Sequence, residues 1–340
     1  MSTEFFWRLP LGTDGPQLTT DKHNRGNPDY RPGNIAPGRL PNGEPDDFTY
    51  IDYIAQVAKA AELAGFEGAL LPTGPEPWIA AAALARETRR IKFLIAFQAT
   101  WTLPAYAAQQ AAILQNLSRG RLEWNIITGG NPASQRSNGD FLGHDLRYKR
   151  TGEFLDIIQG LWQNERFSYD GDIYQLENGA LPHGLQNERK PGVYFSGFSD
   201  AALDVAARHA DVYLNWAEPI DKLEGKSSVV AKGFTSGSDS VGAARQTAYH
   251  QNVDRFDDLI IGPNLWAGFA KAKPGPTVGL VGSHQNIAER LSEYRDAGFS
   301  TFILAGNPHL EEALRIGQEV LPLVHQHAVT SPGTHLKASA

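Results

Sequence analysis

The chain contains the stretch Gly192-Val-Tyr-Phe-Ser-Gly-Phe-Ser-Asp-Ala-Ala202, which joins two kinds of secondary structure. Its first residues form an apolar run typical of a buried β-strand, and Gly197 permits a sharp turn. Ser199 and Asp200 stand where a helix begins, because such side chains cap the free N–H groups of a first helical turn. The stretch therefore predicts a strand that leads directly into an α-helix.

The same junction is a candidate anion site. Backbone N–H groups at a helix start lack partners within the helix, and the positive end of the helix dipole points outward there. A phosphate can bind at such a position, and the Ser199 hydroxyl would add a hydrogen bond. The alternative is that Ser199 or Asp200 only caps its own helix. Both interpretations remain open, and the first predicts a phosphorylated cofactor.

Strand-like apolar runs alternate with helical patterns along most of the chain. The clearest runs are residues 5–9, 68–71, 91–97, 122–127, 212–215 and 301–305. This repetition favours an α/β protein with an eightfold (β/α)8 TIM barrel, and an open doubly wound sheet is the second choice. In either architecture the ligand site lies at the carboxyl ends of the strands.

Three regions interrupt the alternation, near residues 14–47, 167–190 and 224–276. The first is rich in Gly, Pro, Asn and Asp, as expected of a lid or binding loop. The second contains Tyr169-Asp-Gly-Asp-Ile-Tyr174, whose Asp-Gly pair predicts a small hairpin outside the barrel. No convincing seventh strand is visible in the third. We expect one barrel domain over residues 1–328 and a C-terminal tail over 329–340.

Composition excludes several classes of function. With 340 residues, 41% of them hydrophobic, the chain can fill a large core. A net charge of -7 gives no basic field for nucleic acid, and no apolar stretch is long enough to span a membrane. The absence of cysteine excludes disulfides, thiolate metal sites and a cysteine nucleophile. Without a recognisable leader at the amino terminus, the expected location is the cytoplasm.

Residues that follow the predicted strands are polar, glycine-rich or aromatic. They are Pro10 and residues 72–74, 98–100, 128–131, 196–199, 216–218 and 306–309. Their hydroxyls and amides suit a phosphate and a heteroaromatic ring, whereas no HExxH motif, Walker loop or spaced histidine cluster is present. Metal catalysis is therefore disfavoured.

Several of these positions allow two interpretations. The turn from Thr128 to Asn131 either admits a planar ligand close to its backbone or is a simple tight turn. Tyr148 either reaches an anion with its hydroxyl or packs in the core. His309 either acts as an acid, a base or an anion contact, or it caps and packs its helix.

A different reaction is suggested by two carboxylates. Glu76 and Glu218 each follow a predicted strand, and Glu218 lies close to Trp216. A pair of carboxylates at a barrel mouth can serve as the acid and base of glycoside hydrolysis. However, no motif defines their spacing, and most glutamates are simply solvated. Glycoside hydrolysis therefore stays a minor alternative.

Taken together, the chain resembles the flavin-dependent alkanesulfonate monooxygenases of the bacterial luciferase-like superfamily. The resemblance extends from about residue 5 to residue 322 and is carried by blocks in the family's own order. Among them are Phe6-Trp-Arg-Leu-Pro10, Leu71-Pro-Thr-Gly74, Ile127-Thr-Gly129, Phe195-Ser-Gly-Phe-Ser-Asp200 and Tyr213-Leu-Asn-Trp-Ala-Glu-Pro219.

The resemblance implies a luciferase-like barrel that receives reduced FMN from a separate NAD(P)H-dependent flavin reductase. With O2 it would convert a sulfonate into sulfite and an aldehyde, as a homodimer or homotetramer. By the family's pattern, the flavin phosphate would be held by Tyr148, Ser196, Gly197 and Ser199. Thr100, Thr128 and Asn131 would line the flavin. The residues implied at the substrate are Trp216, Lys273, Asn307 and His309.

Departures from the family's pattern refine the expected substrate. Leu11-Gly-Thr13 stands in place of a histidine, Gln98 in place of an arginine, and Asn307 in place of a tyrosine. Neutral hydrogen-bonding groups suit a polyhydroxylated sulfonate such as sulfoquinovose better than a plain alkanesulfonate.

The largest departure lies between Leu223 and about Thr235. There the family carries a helix, its seventh strand and two sulfonate-site residues, all of which we expect to be missing. Either this sequence omits a stretch of the true polypeptide, which we favour because the residues from Ile261 onward return to the family's pattern, or the chain is a defective or rewired relative. On the second interpretation, a non-catalytic flavin-binding protein is the main alternative function.

Overall fold

The computed structural model describes residues 3–11, 50–73, 77–129, 132–197, 199–215, 217–222, 234–236, 259–268, 278–306 and 308–330. Its strands are β1 (Glu4–Arg8), β2 (Gly68–Leu71), β3 (Lys92–Gln98), β4 (Leu122–Ile127), β5 (Phe167–Asp170), β6 (Gln175–Gly179), β7 (Gly192–Phe195), β8 (Val212–Asn215), β9 (Phe234–Ser236), β10 (Ile260–Gly262), β11 (Leu265–Trp266), β12 (Gly279–Leu280) and β13 (Thr301–Leu304).

The α-helices are α1 (Tyr50–Leu63), α2 (Pro77–Glu87), α3 (Pro104–Ser118), α4 (Pro132–Ser137), α5 (His144–Gln163), α6 (Asp200–His209), α7 (His284–Asp296), α8 (His309–Glu319) and α9 (Leu321–Thr330). None of the described helices is both long and apolar enough to cross a bilayer.

Eight parallel strands close into a barrel in the order β1, β2, β3, β4, β7, β8, β9 and β13, and β13 pairs with β1. Most of these strands are followed by a helix that packs on the outside, so the predicted (β/α)8 barrel is confirmed. Two short antiparallel sheets, β5-β6 and β10-β11-β12, lie outside the barrel.

Side chains of the barrel strands alternate between two cores. Phe6, Leu94, Tyr194 and Leu214 form a cluster inside the barrel. Their chain neighbours belong to a larger core between the strands and the helices, where Trp7 contacts Phe66 with ring centroids 5.2 Å apart. Because successive residues of a strand point to opposite faces, strands buried on both sides appear in the sequence as continuous apolar runs.

The expectation that the seventh strand is missing was wrong. Strand β9 pairs with β8 on one side, where Leu214 lies opposite Thr235, and with β13 on the other, where Thr301 lies opposite the same residue. A strand of three residues is too short to show an alternating pattern in the sequence. Its two partners leave no open strand edge at this place in the barrel.

The predicted hairpin is confirmed. Strands β5 and β6 pair antiparallel, with Tyr169 opposite Leu176. The buried carboxylate of Glu153 in α5 accepts hydrogen bonds from the backbone N–H groups of Asp172, Ile173 and Tyr174 at 2.9–3.1 Å. One helical side chain thus holds the turn of the hairpin against α5.

Residues 14–47 and most of 224–276 lie outside the described residues, so their roles as lid or insertion segments stay predictions. The domain limits at 328 and 329 also stay predictions, and helix α9 (Leu321–Thr330) runs across them.

Candidate functional site

Several predicted cofactor residues lie along one side of the barrel mouth. Thr100 follows β3, Thr128 follows β4, and Ser196 follows β7, which are three neighbouring strands of the barrel. His309 is the buried first residue of α8, after β13, which stands four strands away from β4 around the barrel. The mouth therefore has a side that carries the hydroxyls and an opposite side that carries the histidine.

A sharp bend at Gly197 lies between β7 and the start of α6. Gly197 has a φ of +135°, which a residue with a side chain rarely adopts, and its carbonyl accepts a 2.5 Å hydrogen bond from the Tyr213 hydroxyl. This bend brings the chain to Ser199, the N-cap of the ten-residue helix α6. The N–H groups of the first turn of α6 therefore start directly after the bend.

Ser199 serves as the helix cap. Its Oγ accepts a hydrogen bond from the backbone N–H of Ala202 at 3.2 Å. A hydroxyl also carries one proton of its own, so this bond leaves Ser199 able to donate to an anion. Capping and phosphate binding are therefore compatible at this residue, although the sequence presented them as alternatives.

Tyr148 lies close to the same backbone. It is on α5, only 7% exposed, and its ring packs edge-on against Phe195 with centroids 6.3 Å apart. A Cβ placed on Gly197 would lie 2.9 Å from the Tyr148 hydroxyl oxygen and 2.8 Å from the Cβ of Ala202. Tyr148, Gly197, Ser199 and the first turn of α6 thus form a compact group, which we call the anion cradle.

A buried ion pair supports Thr100. Arg150 binds Asp140 through two hydrogen bonds of 2.7 and 3.1 Å, and it donates a third to the Thr100 hydroxyl at 2.8 Å. The side chains of Arg150 and Asp140 are only 12% and 2% exposed. Burial alone would raise the pKa of the Asp140 carboxyl, but hydrogen bonds from Arg150 and from the Leu142 N–H bring that pKa below its usual value.

Arg150 therefore positions Thr100 and leaves its hydroxyl proton for a ligand. Sequence reasoning missed this pair. Its members lie ten residues apart, and the contact from Arg150 to Thr100 spans fifty residues. No local pattern in the sequence indicates either contact.

The chain is closely packed at Gly129, two residues after β4. Gly129 has a φ of +86°, and a Cβ at this position would lie 1.6 Å from Nε2 of Gln135. Gln135 is buried on α4 and donates a 3.4 Å hydrogen bond to the buried Gln98 at the end of β3. Residues 130 and 131 lie outside the described residues, so both interpretations of the stretch from Thr128 to Asn131 stay predictions.

Other predicted site residues, namely Asn131, Trp216, Lys273 and Asn307, lie outside the described residues, and their roles stay predictions. Glu76 lies there too. Glu218 is buried, and its backbone carbonyl accepts a hydrogen bond from the Tyr294 hydroxyl. Within the described part of the chain, no cluster of three or more His, Asp or Glu side chains has the arrangement of a metal site.

Comparisons with solved structures support the barrel architecture. A riboflavin lyase solved with modified FMN and riboflavin is 17% identical to this chain, with a TM-score of 0.67. The match covers 98% of this chain and 93% of the lyase chain. For an EDTA monooxygenase from Chelativorans sp. BNC1 the identity is 18%, the coverages are 97% and 95%, and the TM-score is 0.63. For DmoA from Hyphomicrobium sulfonivorans the corresponding values are 14%, 96%, 88% and 0.69.

Identities this low show a shared fold and no more. The family model described as luciferase-like monooxygenase matches residues 32–253, which is more than half of the chain. The matched segment includes the β7–α6 junction and the anion cradle. The chain belongs to the luciferase-like monooxygenase family.

Proposed function

We propose that the protein is a two-component monooxygenase that uses reduced FMN and O2 to cleave the C–S bond of an organosulfonate, releasing sulfite and an aldehyde. The observation that carries this proposal is the anion cradle, placed at the mouth of a luciferase-like barrel. Our preferred substrate is a sulfosugar such as sulfoquinovose, followed by aliphatic alkanesulfonates. The reduced flavin would come from an NAD(P)H-dependent flavin reductase.

The residues of the cradle fit the phosphate of FMN. The phosphate oxygens are acceptors only, and the cradle presents two hydroxyl donors, Tyr148 and Ser199, beside the N–H groups that open α6. Gly197 leaves free the volume that a side chain would fill. In this placement Thr100 and Thr128 face the body of the cofactor from the neighbouring strands β3 and β4.

When bound, reduced FMN supplies the electrons that activate O2. The protein must keep water away from this chemistry, and we assign that task to the segment 14–47. A sulfonate carries one negative charge and three acceptor oxygens, so its site needs cationic or amide donors. Lys273, Trp216, Asn307 and His309 are our candidates for the substrate side of the mouth.

One experiment tests the proposed reaction. The protein is loaded anaerobically with reduced FMN and mixed with O2 in the presence of sulfoquinovose or octanesulfonate, and sulfite is then assayed. Catalase and superoxide dismutase in all samples remove oxidants released by free flavin. We expect sulfite in proportion to the reduced flavin supplied. Sulfite from neither compound would contradict the proposal, and tight flavin binding without turnover would support a flavin-binding protein instead.

A homodimer is our proposal for the assembly, because helix α3 exposes an apolar stripe. Leu103, Tyr106, Ile113 and Leu117 are between 45% and 68% exposed and recur at spacings that share one helix face. Ile79 of the neighbouring helix α2 is also exposed, at 71%. Exposed apolar side chains gathered on one helix face are typical of a contact between protein chains.

The stripe gives a direct test of assembly. Replacing Ile113 with lysine places a charge in the middle of the patch, where it would be buried without a partner in a dimer. We expect the mass measured by light scattering after gel filtration to fall to that of one chain. Gln56→Lys on the exposed side of α1 is the control and should leave the mass unchanged. An Ile113→Lys protein with wild-type mass would exclude this surface as the interface.

A further inference from the structure

A cationic side chain lies on the inner face of the barrel. Arg8 is the last residue of β1, two positions after Phe6. Phe6 belongs to the cluster inside the barrel, and Trp7 between them belongs to the outer core. Because strand residues two apart share a face, Arg8 projects into the barrel at the end that forms the mouth. It is partly buried there.

The layer around Arg8 contains small side chains. In such barrels the inward residues of alternate strands form layers, and Phe6, Leu94 and Tyr194 come from the alternate strands β1, β3 and β7. The next inward positions toward the mouth, two residues further along each chain segment, are Arg8 in β1, Ala96 in β3 and Ser196 directly after β7. Ala96 and Ser196 are small, so of these three residues only Arg8 has a side chain long enough to reach across the layer.

A buried amide lies next to this layer, on the side away from the mouth. Asn125 of β4 lies in register between Ala96 and Tyr194 and is 5% exposed. Its Oδ1 has no hydrogen-bond partner among the described residues. A buried acceptor without a donor costs free energy, and native proteins keep such groups rarely. A ligand hydroxyl beside Asn125 would satisfy it.

We propose that Arg8 binds the anionic group of the substrate inside the barrel and that Asn125 accepts a hydrogen bond from a substrate hydroxyl. The guanidinium offers forked donors that match two oxygens of a sulfonate. The flavin phosphate has its own site, because the anion cradle follows β7, four strands from β1 around the barrel. This assignment rests on the proposed sulfonate substrate and adds a requirement for hydroxyl groups.

The test measures binding without turnover. Calorimetry under anaerobic conditions gives the affinities of sulfoquinovose, octanesulfonate and the uncharged octanesulfonamide for the protein loaded with reduced FMN. We expect Arg8→Gln to weaken both sulfonates about 20-fold and to leave the sulfonamide unchanged. Arg8→Lys keeps the charge without the fork and should weaken both sulfonates about 3-fold. Asn125→Leu should weaken sulfoquinovose about 10-fold and leave octanesulfonate unchanged.

The affinity for reduced FMN and the unfolding midpoint serve as controls in each variant. Equal sulfonate affinities of wild type and Arg8→Gln would overturn the assignment, as would a loss of flavin affinity with sulfonate binding intact. A wild-type protein that binds neither sulfonate would also overturn it. Binding that depends on Arg8 without sulfite release would support the assignment of Arg8 and contradict the proposed reaction, so the two failures are distinct.

Discussion

Replacing Gly197 with alanine is expected to abolish measurable binding of reduced FMN and to lower the free energy of unfolding by about 3 kcal/mol. Two causes add. The φ of +135° at this position strains any residue with a Cβ, and the new methyl group would lie 2.9 Å from the Tyr148 hydroxyl and 2.8 Å from the Cβ of Ala202. The Tyr148 hydroxyl would have to leave the position from which it reaches a phosphate. Anaerobic fluorescence titration with reduced FMN, together with urea unfolding, measures both effects.

Gly139→Ala is a matched control for this substitution. Gly139 has a φ of +81°, and a Cβ placed on it meets no atom within 4 Å. This variant therefore carries backbone strain without crowding, which should cost about 1 kcal/mol and leave the flavin affinity unchanged. If Gly197→Ala binds reduced FMN as tightly as Gly139→Ala does, the cradle is not the phosphate site.

Removing both hydroxyls of the cradle is expected to weaken reduced FMN binding a few hundred-fold. A hydrogen bond to a charged group contributes about 1.5–3 kcal/mol, and Ser199→Ala combined with Tyr148→Phe removes two such bonds while the N–H groups of α6 stay in place. Each single variant should lose about 10- to 30-fold. Fluorescence titration under anaerobic conditions gives the dissociation constants.

Conservative variants separate binding from folding in this experiment. Ser199→Ala also removes the cap of α6, which should lower the free energy of unfolding by about 1 kcal/mol. Ser199→Thr keeps both the hydroxyl and the cap, so it should bind nearly as the wild type does. Tyr169→Phe removes a hydroxyl that bonds to Asp156 near the hairpin and should not affect the flavin. A double variant with wild-type affinity would refute the phosphate assignment.

Most of the fold could be predicted from the sequence because its information is local. The apolar runs of β3 and β4 are six or seven residues long, and each is followed by a helical pattern. The hairpin was recognisable from the Asp-Gly pair between Tyr169 and Tyr174. Strand β9 was missed because three residues carry no periodicity, and its place depends on pairing with β8 and β13. That pairing joins segments remote in sequence.

The site residues likewise fall into those that local sequence indicates and those that only long-range contacts define. Gly197 and Ser199 could be proposed because a strand, a bend and a helix start follow one another within eight residues. The support of Thr100 by Arg150 could not be foreseen, since the contact spans fifty residues. Arg8 is an intermediate case. Strand alternation shows that it shares a face with Phe6, but Phe6 and Trp7 are both apolar, so only the packing in the structure tells which face lies inside the barrel.

Helix α5 contacts three segments that are distant from one another in the sequence. Within two turns, Tyr148 lies beside Gly197 in the anion cradle, Arg150 donates a hydrogen bond to Thr100, and Glu153 accepts hydrogen bonds from the hairpin turn. Adding or deleting one residue in this stretch would rotate whatever follows by about 100°, so at least one of the three contacts would be lost. These six positions can therefore change by substitution, whereas an insertion or deletion among them would break the site or the hairpin.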